Sequence, residues 1–276
     1  MSTYNQLLQT GRELLKQQGI ADANVDAWYL LAHVFKINRT DLLLRGDQAV
    51  ESEEMELYLN LLHKRANHIP LQHITRTQEF MGLELLVNED VLIPRQDTEI
   101  LVEEVLKYSE DKSVIDMCTG SGCIILSLAK LGRLKRAVGV DLSERALEVA
   151  TNNIRKHKVN VELIQSNLFD RVEGCYDILV SNPPYIPSSD IEALMPEVKD
   201  HEPRMALDGS ADGLEFYRLI SNAGKKHLNP NGLIFYEIGY NQGEAVKEIL
   251  LKEGFQEIMI KKDLSGLDRV VSARRS

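Results

Sequence analysis

Apolar side chains recur at helical spacing along the first part of the chain. Positions i, i+3, i+4 and i+7 share one face of an α-helix, so each such stripe predicts an amphipathic helix. Three stripes of this kind predict a small helical domain over residues 1–74. The stripes consist of Tyr4, Leu7, Leu8, Leu14 and Leu15, then Ala27, Leu30, Leu31 and Val34, and then Met55, Tyr58, Leu59 and Leu62.

The pattern changes over residues 75–93, where single apolar residues are spread around Gly82 and the polar run Asn88-Glu89-Asp90. Short apolar segments separated by turn residues predict a β-hairpin, here acting as a linker between two domains. A helical pattern resumes after Pro94. Its first turn is rich in acids, and Asp97 or Thr98 is expected to cap its start.

From Ser113 onward, short apolar runs alternate with helical stripes. This alternation is typical of an α/β domain whose mainly parallel sheet carries helices on both faces. We therefore predict a Rossmann-like α/β domain over residues 94–276 with seven strands. The strands are expected at 114–117, 137–141, 161–165, 176–181, 232–238, 257–261 and 269–272, and the helices at 124–131, 143–157, 214–228 and 244–251.

The fourth of these strands ends at two consecutive prolines, in the stretch Asn182-Pro183-Pro184-Tyr185. Proline has no backbone N–H and a fixed φ, so a central strand must end there, and the residue before it is held extended. The result is a stiff elbow, residues 182–185, that presents an amide, unpaired carbonyl groups and an aromatic ring. Because ligands bind at the carboxyl ends of parallel strands, this elbow is a candidate binding site.

The carboxyl ends of the first three strands carry residues that suit a nucleoside. Asp141 can accept hydrogen bonds from both hydroxyls of a ribose. Asn167 can bond to an adenine edge, and Leu168 can pack on the base. The dinucleotide fingerprint lacks its third glycine and no Walker lysine is present, which disfavours nicotinamide and ATP, whereas S-adenosylmethionine fits. The loop expected to approach it closely consists of Cys118, Thr119, Gly120, Ser121 and Gly122.

Composition and charge disfavour several classes of partner, namely nucleic acids, membranes and metal ions. The net charge is −10, from 42 acidic and 32 basic side chains, which disfavours direct binding to a nucleic-acid backbone. No apolar run approaches the length of a membrane span, and the N-terminus shows no signal-peptide pattern. The 3 cysteines lack metal-ligand spacing, and so do His63, His68 and His73. We expect a cytoplasmic protein with no bound metal and no membrane partner.

Several motifs, in the same order along the chain, resemble one known family. The loop from Asp116 to Gly122, Asp141 and the elbow look like a class I S-adenosylmethionine-dependent methyltransferase with the NPPY signature. Enzymes that methylate adenine N6, guanine N2 and glutamine amides share that signature. Five further motifs are similar to those of the peptide-chain release factor glutamine N5-methyltransferases (the PrmC/HemK family): Ile93-Pro-Arg-Gln-Asp-Thr-Glu99, Glu202-Pro-Arg-Met-Ala-Leu207, Asp212-Gly-Leu214, Glu237-Ile-Gly-Tyr-Asn-Gln-Gly243 and Asp263-Leu-Ser-Gly-Leu-Asp-Arg269.

The resemblance implies methyl transfer from S-adenosylmethionine to N5 of a glutamine in peptide-chain release factors, which would modulate translation termination. It also implies that residues 1–74 dock the protein substrate. Cys118 stands where the family usually has glycine, and Leu168 where some members carry an aromatic residue. Neither departure removes a hydrogen-bonding group, so the reaction class should not change. Arg95, Asp97 and Glu99 of the first motif are expected to support the site.

On this resemblance the elbow carries the catalytic roles. An amide nitrogen is a poor nucleophile because its lone pair is delocalised into the carbonyl. The Asn182 side-chain carbonyl and the Pro183 backbone carbonyl are each expected to accept one N–H of the substrate amide, which aims its nitrogen at the methyl group and stabilises developing positive charge. Tyr185 is expected to pack on the amide and exclude water. Pro184 completes the substrate-binding set, and Asn182 is also expected to contact the cofactor.

Two other functions remain open at this point. An adenine N6- or ribosomal RNA methyltransferase shares the elbow, but it should carry a basic recognition region that this acidic chain lacks. A non-catalytic protein that only binds S-adenosylmethionine is the second. The intact set of Asn182, Asp141, Gly120 and Gly122 argues against it.

Overall fold

Two structural units make up the chain in a computed structural model that describes residues 2–276. The smaller unit consists of Met1–Arg76 together with Met195–His201, and the larger unit consists of Thr77–Leu194 with Glu202–Ser276. The sequence pattern predicts the hairpin as a separate linker, whereas the structure groups it with the larger unit. The short segment after the elbow that joins the smaller unit has no counterpart in the predicted domain boundaries.

The smaller unit is a helical bundle whose apolar stripes meet in one core, as the sequence predicts. Leu15, Leu30, Leu31 and Leu62 are completely buried there. Asn38 caps the third helix, because its side chain accepts a hydrogen bond from the Asp41 N–H at 3.0 Å. The helices are α1 (Tyr4–Gln17), α2 (Ala23–Phe35), α3 (Arg39–Arg45), α4 (Ser52–Ala66), α5 (Leu71–Thr75) and, from the second segment, α9 (Pro196–Lys199).

Arg65 is the centre of a network of charged side chains inside this unit. The Arg65 guanidinium, on α4, donates to Asp26 Oδ2 at 2.7 Å and to Glu197 Oε1 at 3.0 Å. His68 Nδ1 lies 3.1 Å from the same Glu197 oxygen. Burial raises the pKa of Asp26, and the hydrogen bond from Arg65 acts in the opposite direction. Arg65 therefore joins α2, α4 and α9 through one buried network.

The larger unit begins with a short hairpin, as predicted. Its two strands pair in antiparallel register around a turn at Met81 and Gly82, both with positive φ. Helices and strands then alternate as far as the fifth strand, which is followed directly by the sixth, and the last two strands also follow one another without a helix. The strands are β1 (Thr77–Phe80), β2 (Leu83–Leu86), β3 (Ser113–Met117), β4 (Arg136–Asp141), β5 (Glu162–Gln165), β6 (Tyr176–Ser181), β7 (Leu228–Glu237), β8 (Phe255–Lys262) and β9 (Asp268–Arg275). The helices are α6 (Gln96–Leu106), α7 (Cys123–Leu131), α8 (Glu144–His157), α10 (Arg204–Leu207), α11 (Glu215–His227) and α12 (Gly243–Lys252), with a 3₁₀ turn at Ile191–Ala193.

The sheet of this unit has seven strands in the order β5-β4-β3-β6-β7-β9-β8. Neighbours from β5 to β7 are parallel, while β9 pairs antiparallel with both β7 and β8. The predicted α/β fold with a mainly parallel sheet is confirmed. The chain order reverses between β3 and β6, and such a switch point opens a crevice at the carboxyl ends of the strands.

The start of α6 differs from the prediction. The helix begins at Gln96 with Arg95 as its N-cap, and neither Asp97 nor Thr98 caps it. Because Arg95 is extended after Pro94, the first helical turn begins at Gln96, before the predicted caps. Thr98 then lies within this turn and is buried, with 2% of its surface exposed. This placement brings the Thr98 hydroxyl to the elbow.

Metal-ligating clusters and membrane-spanning helices are both absent from the described residues. Among residues 2–276, no group of three or more His, Cys, Asp and Glu side chains could hold a metal ion. Within the same residues, no helix is both long and apolar enough to cross a membrane. Of the three histidines considered above, His73 is buried.

The Arg65 network generates a stability prediction. Arg65→Leu leaves Asp26 and Glu197 without their cation, so we expect it to lower the free energy of unfolding of the helical unit by about 3–5 kcal/mol. Hydrogen exchange of α2 and α4 in the full-length protein measures this change. Arg45→Leu, at an exposed position of α3, is the control and should leave exchange unchanged. Equal protection in both variants would contradict the prediction.

Candidate functional site

A cleft of about 350 Å³ opens at the carboxyl ends of β3, β4, β5 and β6, within the larger unit. The loops that follow these strands supply most of its wall, as expected for this class of sheet. The cleft therefore lies where the predicted cofactor-binding and substrate-binding residues are expected. The wall includes Cys118–Ser121 after β3, Asp141–Ser143 after β4, Ser166–Leu168 after β5, Asn182 and Pro184 after β6, and Pro94, Arg95 and Thr98 at the start of α6.

The loop after β3 is held from below by a buried acid. Asp116 is fully buried, and its Oδ2 accepts a hydrogen bond from the Thr119 hydroxyl at 2.6 Å. Burial raises the pKa of Asp116 to about 7. Above the loop, a Cβ added to Gly120 would meet no atom within 4 Å, so the backbone there faces open space. A ligand can approach this backbone closely.

Asp141 joins the loops that follow β3 and β4. Its Oδ2 accepts the Gly120 N–H at 2.8 Å and its Oδ1 accepts the Ser143 N–H at 2.9 Å. Burial raises the pKa of Asp141, while these backbone hydrogen bonds lower it. Each carboxylate oxygen has a second lone pair, so both can still accept a ribose hydroxyl. The structure thus places this acid on the cleft wall beside the glycine loop.

Two positions in the cleft have backbone conformations that favour glycine. Cys118 has φ +63° and Leu168 has φ +47°. A left-handed residue with a Cβ is strained, which gives a physical reason for the glycine that the PrmC/HemK family usually carries at the first position. Burial holds the pKa of the Cys118 thiol far above its ordinary value, so the thiol stays protonated. Its contribution is to the shape of the wall.

The elbow contributes unequally to the cleft. Asn182 and Pro184 line it, and Asn182 Nδ2 donates to the Thr98 hydroxyl at 3.4 Å. Pro183 and Tyr185 are not among the lining side chains of residues 2–276, and Gly122 is also outside this set. Their assigned roles remain predictions.

The back of the elbow is held by side chains and glycines that sequence reasoning did not assign to the site. Gln242 Nε2 donates to the Tyr185 carbonyl at 2.9 Å and to the Gly213 carbonyl at 3.2 Å. A Cβ on Gly213 would collide with the Tyr185 carbonyl, and one on Gly209 would lie 2.8 Å from the Tyr185 backbone. Gln242 and Gly213 belong to motifs quoted above, so their positions in the sequence were visible but their target was not.

The three predicted supporting residues act on different neighbours. Arg95 lines the cleft and pairs with Glu202 at 2.5 Å. Asp97 pairs with Arg269 at 3.1 Å, and Glu99 accepts the Met81 N–H of the hairpin turn at 2.5 Å. The first motif therefore ties the start of α6 to the loop after the elbow, to β9 and to the hairpin.

Known proteins resemble this chain over nearly its full length. Residues 6–75 match the model of the PrmC N-terminal domain, and residues 95–197 match that of the methyltransferase small domain. The release factor glutamine methyltransferase of Geobacter sulfurreducens is 40% identical over 99% of this chain and 96% of its own length. That of Clostridium acetobutylicum is 43% identical over 91% of this chain and 90% of its own.

Solved structures support the fold alone, because their sequence identities are low. A methyltransferase from Pyrococcus furiosus superposes with a TM-score of 0.55 at 18% identity, covering 71% of this chain and 91% of that one. The ribosomal protein L11 methylase of Lactobacillus delbrueckii gives a TM-score of 0.52 at 20% identity, covering 69% and 84%.

The position of Asp141 generates a binding prediction. In Asp141→Asn one carboxylate oxygen becomes an NH₂ group, which cannot accept the N–H of Gly120 or Ser143. We expect S-adenosylmethionine to bind about 10- to 100-fold more weakly, the cost of a hydrogen bond to a charged group. Isothermal titration calorimetry measures it. Glu144→Gln, an exposed neighbour, is the control, and unchanged affinity in Asp141→Asn would show that this carboxylate does not hold the cofactor.

Proposed function

The chain belongs to the family of release factor glutamine methyltransferases, and we propose that it methylates the side-chain amide nitrogen, N5, of a glutamine in a peptide-chain release factor with S-adenosylmethionine as donor. This reaction would modulate translation termination. The observation that carries the proposal is one shared cleft. Asn182 of the elbow lines the same cavity as Gly120 and Asp141 of the predicted nucleoside site.

The residues of the cleft fit this cofactor. Gly120 leaves open space above its backbone, and Asp141 has lone pairs free for two hydroxyl groups. Asn167 and Leu168 stand further along the same wall, where an adenine edge and face would be met. When bound, S-adenosylmethionine supplies an electrophilic methyl group on a sulfonium centre.

The chain's own contribution is to position the amide and exclude water. With Asn182 Nδ2 donating to Thr98, the Oδ1 atom of the same side chain is left to accept one N–H of the substrate. The Pro183 carbonyl, without a ladder partner after β6, would accept the other. Both acceptors would also stabilise positive charge as it develops on the nitrogen. This arrangement needs no ionised general base in contact with the amide.

The partner and the compartment follow from this function. Relatives that cover the whole chain carry release factor in their names, and the net charge of −10 suits a protein substrate better than a phosphate backbone. The helical unit exposes large apolar side chains that could meet such a partner, notably Leu43 at 86% and Leu44 at 76% exposure. We place the reaction in the cytoplasm, where translation occurs.

The role of the elbow amide can be tested directly. Asn182→Ala removes the side-chain acceptor, so methyl transfer to release factor should fall by about 100-fold or more. S-adenosylmethionine should bind nearly as before, since the loops after β3 and β4 are untouched. Transfer of labelled methyl from the cofactor measures the first effect and calorimetry the second. Asn222→Ala, exposed on α11, is the control.

Full activity of Asn182→Ala would refute this mechanism. The same labelled assay with DNA or RNA in place of release factor tests the substrate class. Transfer to nucleic acid but not to release factor would contradict the proposed function.

If the helical unit docks the release factor, substitutions on its surface should change KM, whereas Asn182→Ala should reduce methyl transfer itself. Replacing both Leu43 and Leu44 with Glu puts charge on exposed apolar positions of α3 without disturbing the core. The KM for release factor should rise by about tenfold, the cost of losing one apolar contact, while kcat at saturation stays the same. Steady-state kinetics measures both. An unchanged KM would show that α3 does not contact the substrate.

A further inference from the structure

A buried amide holds the glycine loop, residues 118–122, in addition to the two acids already described. Asn153 of α8 is completely buried, and its Nδ2 donates to the Ser121 carbonyl at 3.0 Å. Ser121 lies between Gly120 and Gly122, both with positive φ. A peptide between two glycines has few local restraints, so this hydrogen bond limits the direction in which the Ser121 carbonyl points.

The same Asn153 side chain also binds the hairpin. Its Oδ1 accepts the Leu86 N–H at 2.6 Å, and its Nδ2 donates to the Leu86 carbonyl at 3.0 Å. Leu86 is the last residue of β2, and the amide pairs with both of its backbone groups, as a neighbouring strand would. With the bond to Ser121, the oxygen and both N–H groups of the amide are used, as a fully buried amide requires.

The chain that follows Leu86 returns to the cleft, and we call residues 87–92 the strap. Val87 and Val91 of the strap pack in a small apolar core with two side chains of α8. Residues 90–92 then line the cleft together with the glycine loop. The strap and the glycine loop are therefore two parts of the cleft wall that share α8 as their support.

Other contacts join α8 to one of these parts but not to the other. Lys156 Nζ donates to Glu84 Oε1 at 2.7 Å, an exposed pair that reaches the hairpin and not the loop. Gly122 packs against Ala150, since an added Cβ would lie 3.2 Å from the Ala150 Cβ, and this contact reaches the loop and not the hairpin. Asn153 reaches both.

We propose that Asn153 is a positioning residue for S-adenosylmethionine binding, which holds the glycine loop and the strap at one fixed separation in the cleft wall. Binding sites tolerate little displacement of the groups that contact a ligand, so a loop free to move relative to the strap binds more weakly. The hairpin thereby takes part in the cofactor site, whereas the sequence pattern predicts only a linker there. The inference rests on the cofactor and not on the identity of the protein substrate.

The test compares Asn153→Ala with Asn152→Ala in the full-length protein. Asn152 is the exposed neighbour on the same helix, so its variant removes the same amide without touching the cleft wall. We expect S-adenosylmethionine to bind about tenfold more weakly to Asn153→Ala, roughly the cost of one lost hydrogen bond, and with wild-type affinity to Asn152→Ala. Isothermal titration calorimetry measures both, at a temperature at which circular dichroism shows each variant folded.

Wild-type affinity in folded Asn153→Ala would overturn the proposal, because the buried amide would then serve stability alone. Lys156→Ala gives a second comparison. It breaks the exposed pair with Glu84 and leaves the glycine loop untouched, so it should bind the cofactor as the wild type does. Equal weakening in Lys156→Ala and Asn153→Ala would also overturn the proposal, because any loosening of the hairpin would then be sufficient.

Hydrogen exchange without cofactor separates the two parts of the wall. The Leu86 N–H bonds to Asn153, and the Gly122 N–H bonds to the Thr119 carbonyl within the loop at 2.9 Å. Both should exchange about tenfold faster in Asn153→Ala than in the wild type. Faster exchange at Leu86 alone would show that Asn153 does not hold the loop, and the proposal would fail.

A measurement on the wild type applies even where Asn153→Ala does not fold. The side-chain NH₂ protons of Asn153, assigned through the backbone of the same residue, should exchange slowly with or without cofactor, because both bond to backbone carbonyls. Exchange as fast as that of the exposed Asn152 NH₂ group would refute the proposal. Failure of the proposed function would appear instead as absence of methyl transfer to release factor while the cofactor still binds.

Discussion

Two consecutive prolines at the end of β6 impose the constraint on which the site depends. They leave the elbow without ladder N–H groups, so other groups must hold it. Gln242 does so from behind by donating to the Tyr185 carbonyl at 2.9 Å, and Gly213 leaves the space that this approach requires. The turn after β7 is therefore part of the site although Gln242 does not line the cleft. This explains why family motifs are spread over so much of the chain.

Two buried acids, Asp116 and Glu237, lie in the same region, and keeping them buried lowers the folding stability at neutral pH. Burial raises the pKa of Asp116 and of Glu237 to about 7, so each binds more protons in the folded than in the unfolded protein between about pH 4.5 and 7. Their contribution to folding stability is therefore present at low pH and lost as pH rises toward 7. Asp116 fixes the glycine loop through Thr119, and Glu237 ends the strand that pairs with β6 beside the elbow. At neutral pH these acids therefore reduce folding stability in the region where both walls of the cleft must keep one geometry.

The elements and much of the cleft wall were predictable from the sequence. Periodicity located the helices and strands, and a proline pair or a glycine loop marks a backbone position by local chemistry alone. Local chemistry also explains the failures. Asp97 and Thr98 look like N-caps because caps are judged from neighbours in sequence, yet the extended Arg95 starts α6 earlier and carries Thr98 inward. Nothing local marks Met195–His201 as part of the helical unit, because the Arg65 that pairs with Glu197 is far away in the chain.

By itself the sequence determined the fold class and the family, and it pointed to Gly120, Asp141 and Asn182 as residues of the cleft. These depend on periodicity and on motifs that are local in the chain. Only the tertiary structure decided what those motifs do for one another. It brought Thr98 of α6 within hydrogen-bond distance of Asn182, and it placed Gln242 behind the Tyr185 carbonyl. Hydrogen-bond polarity is a property of atoms in contact. The partner of the elbow amide therefore could not be known until α6 and the end of β6, which are distant in sequence, were neighbours in space.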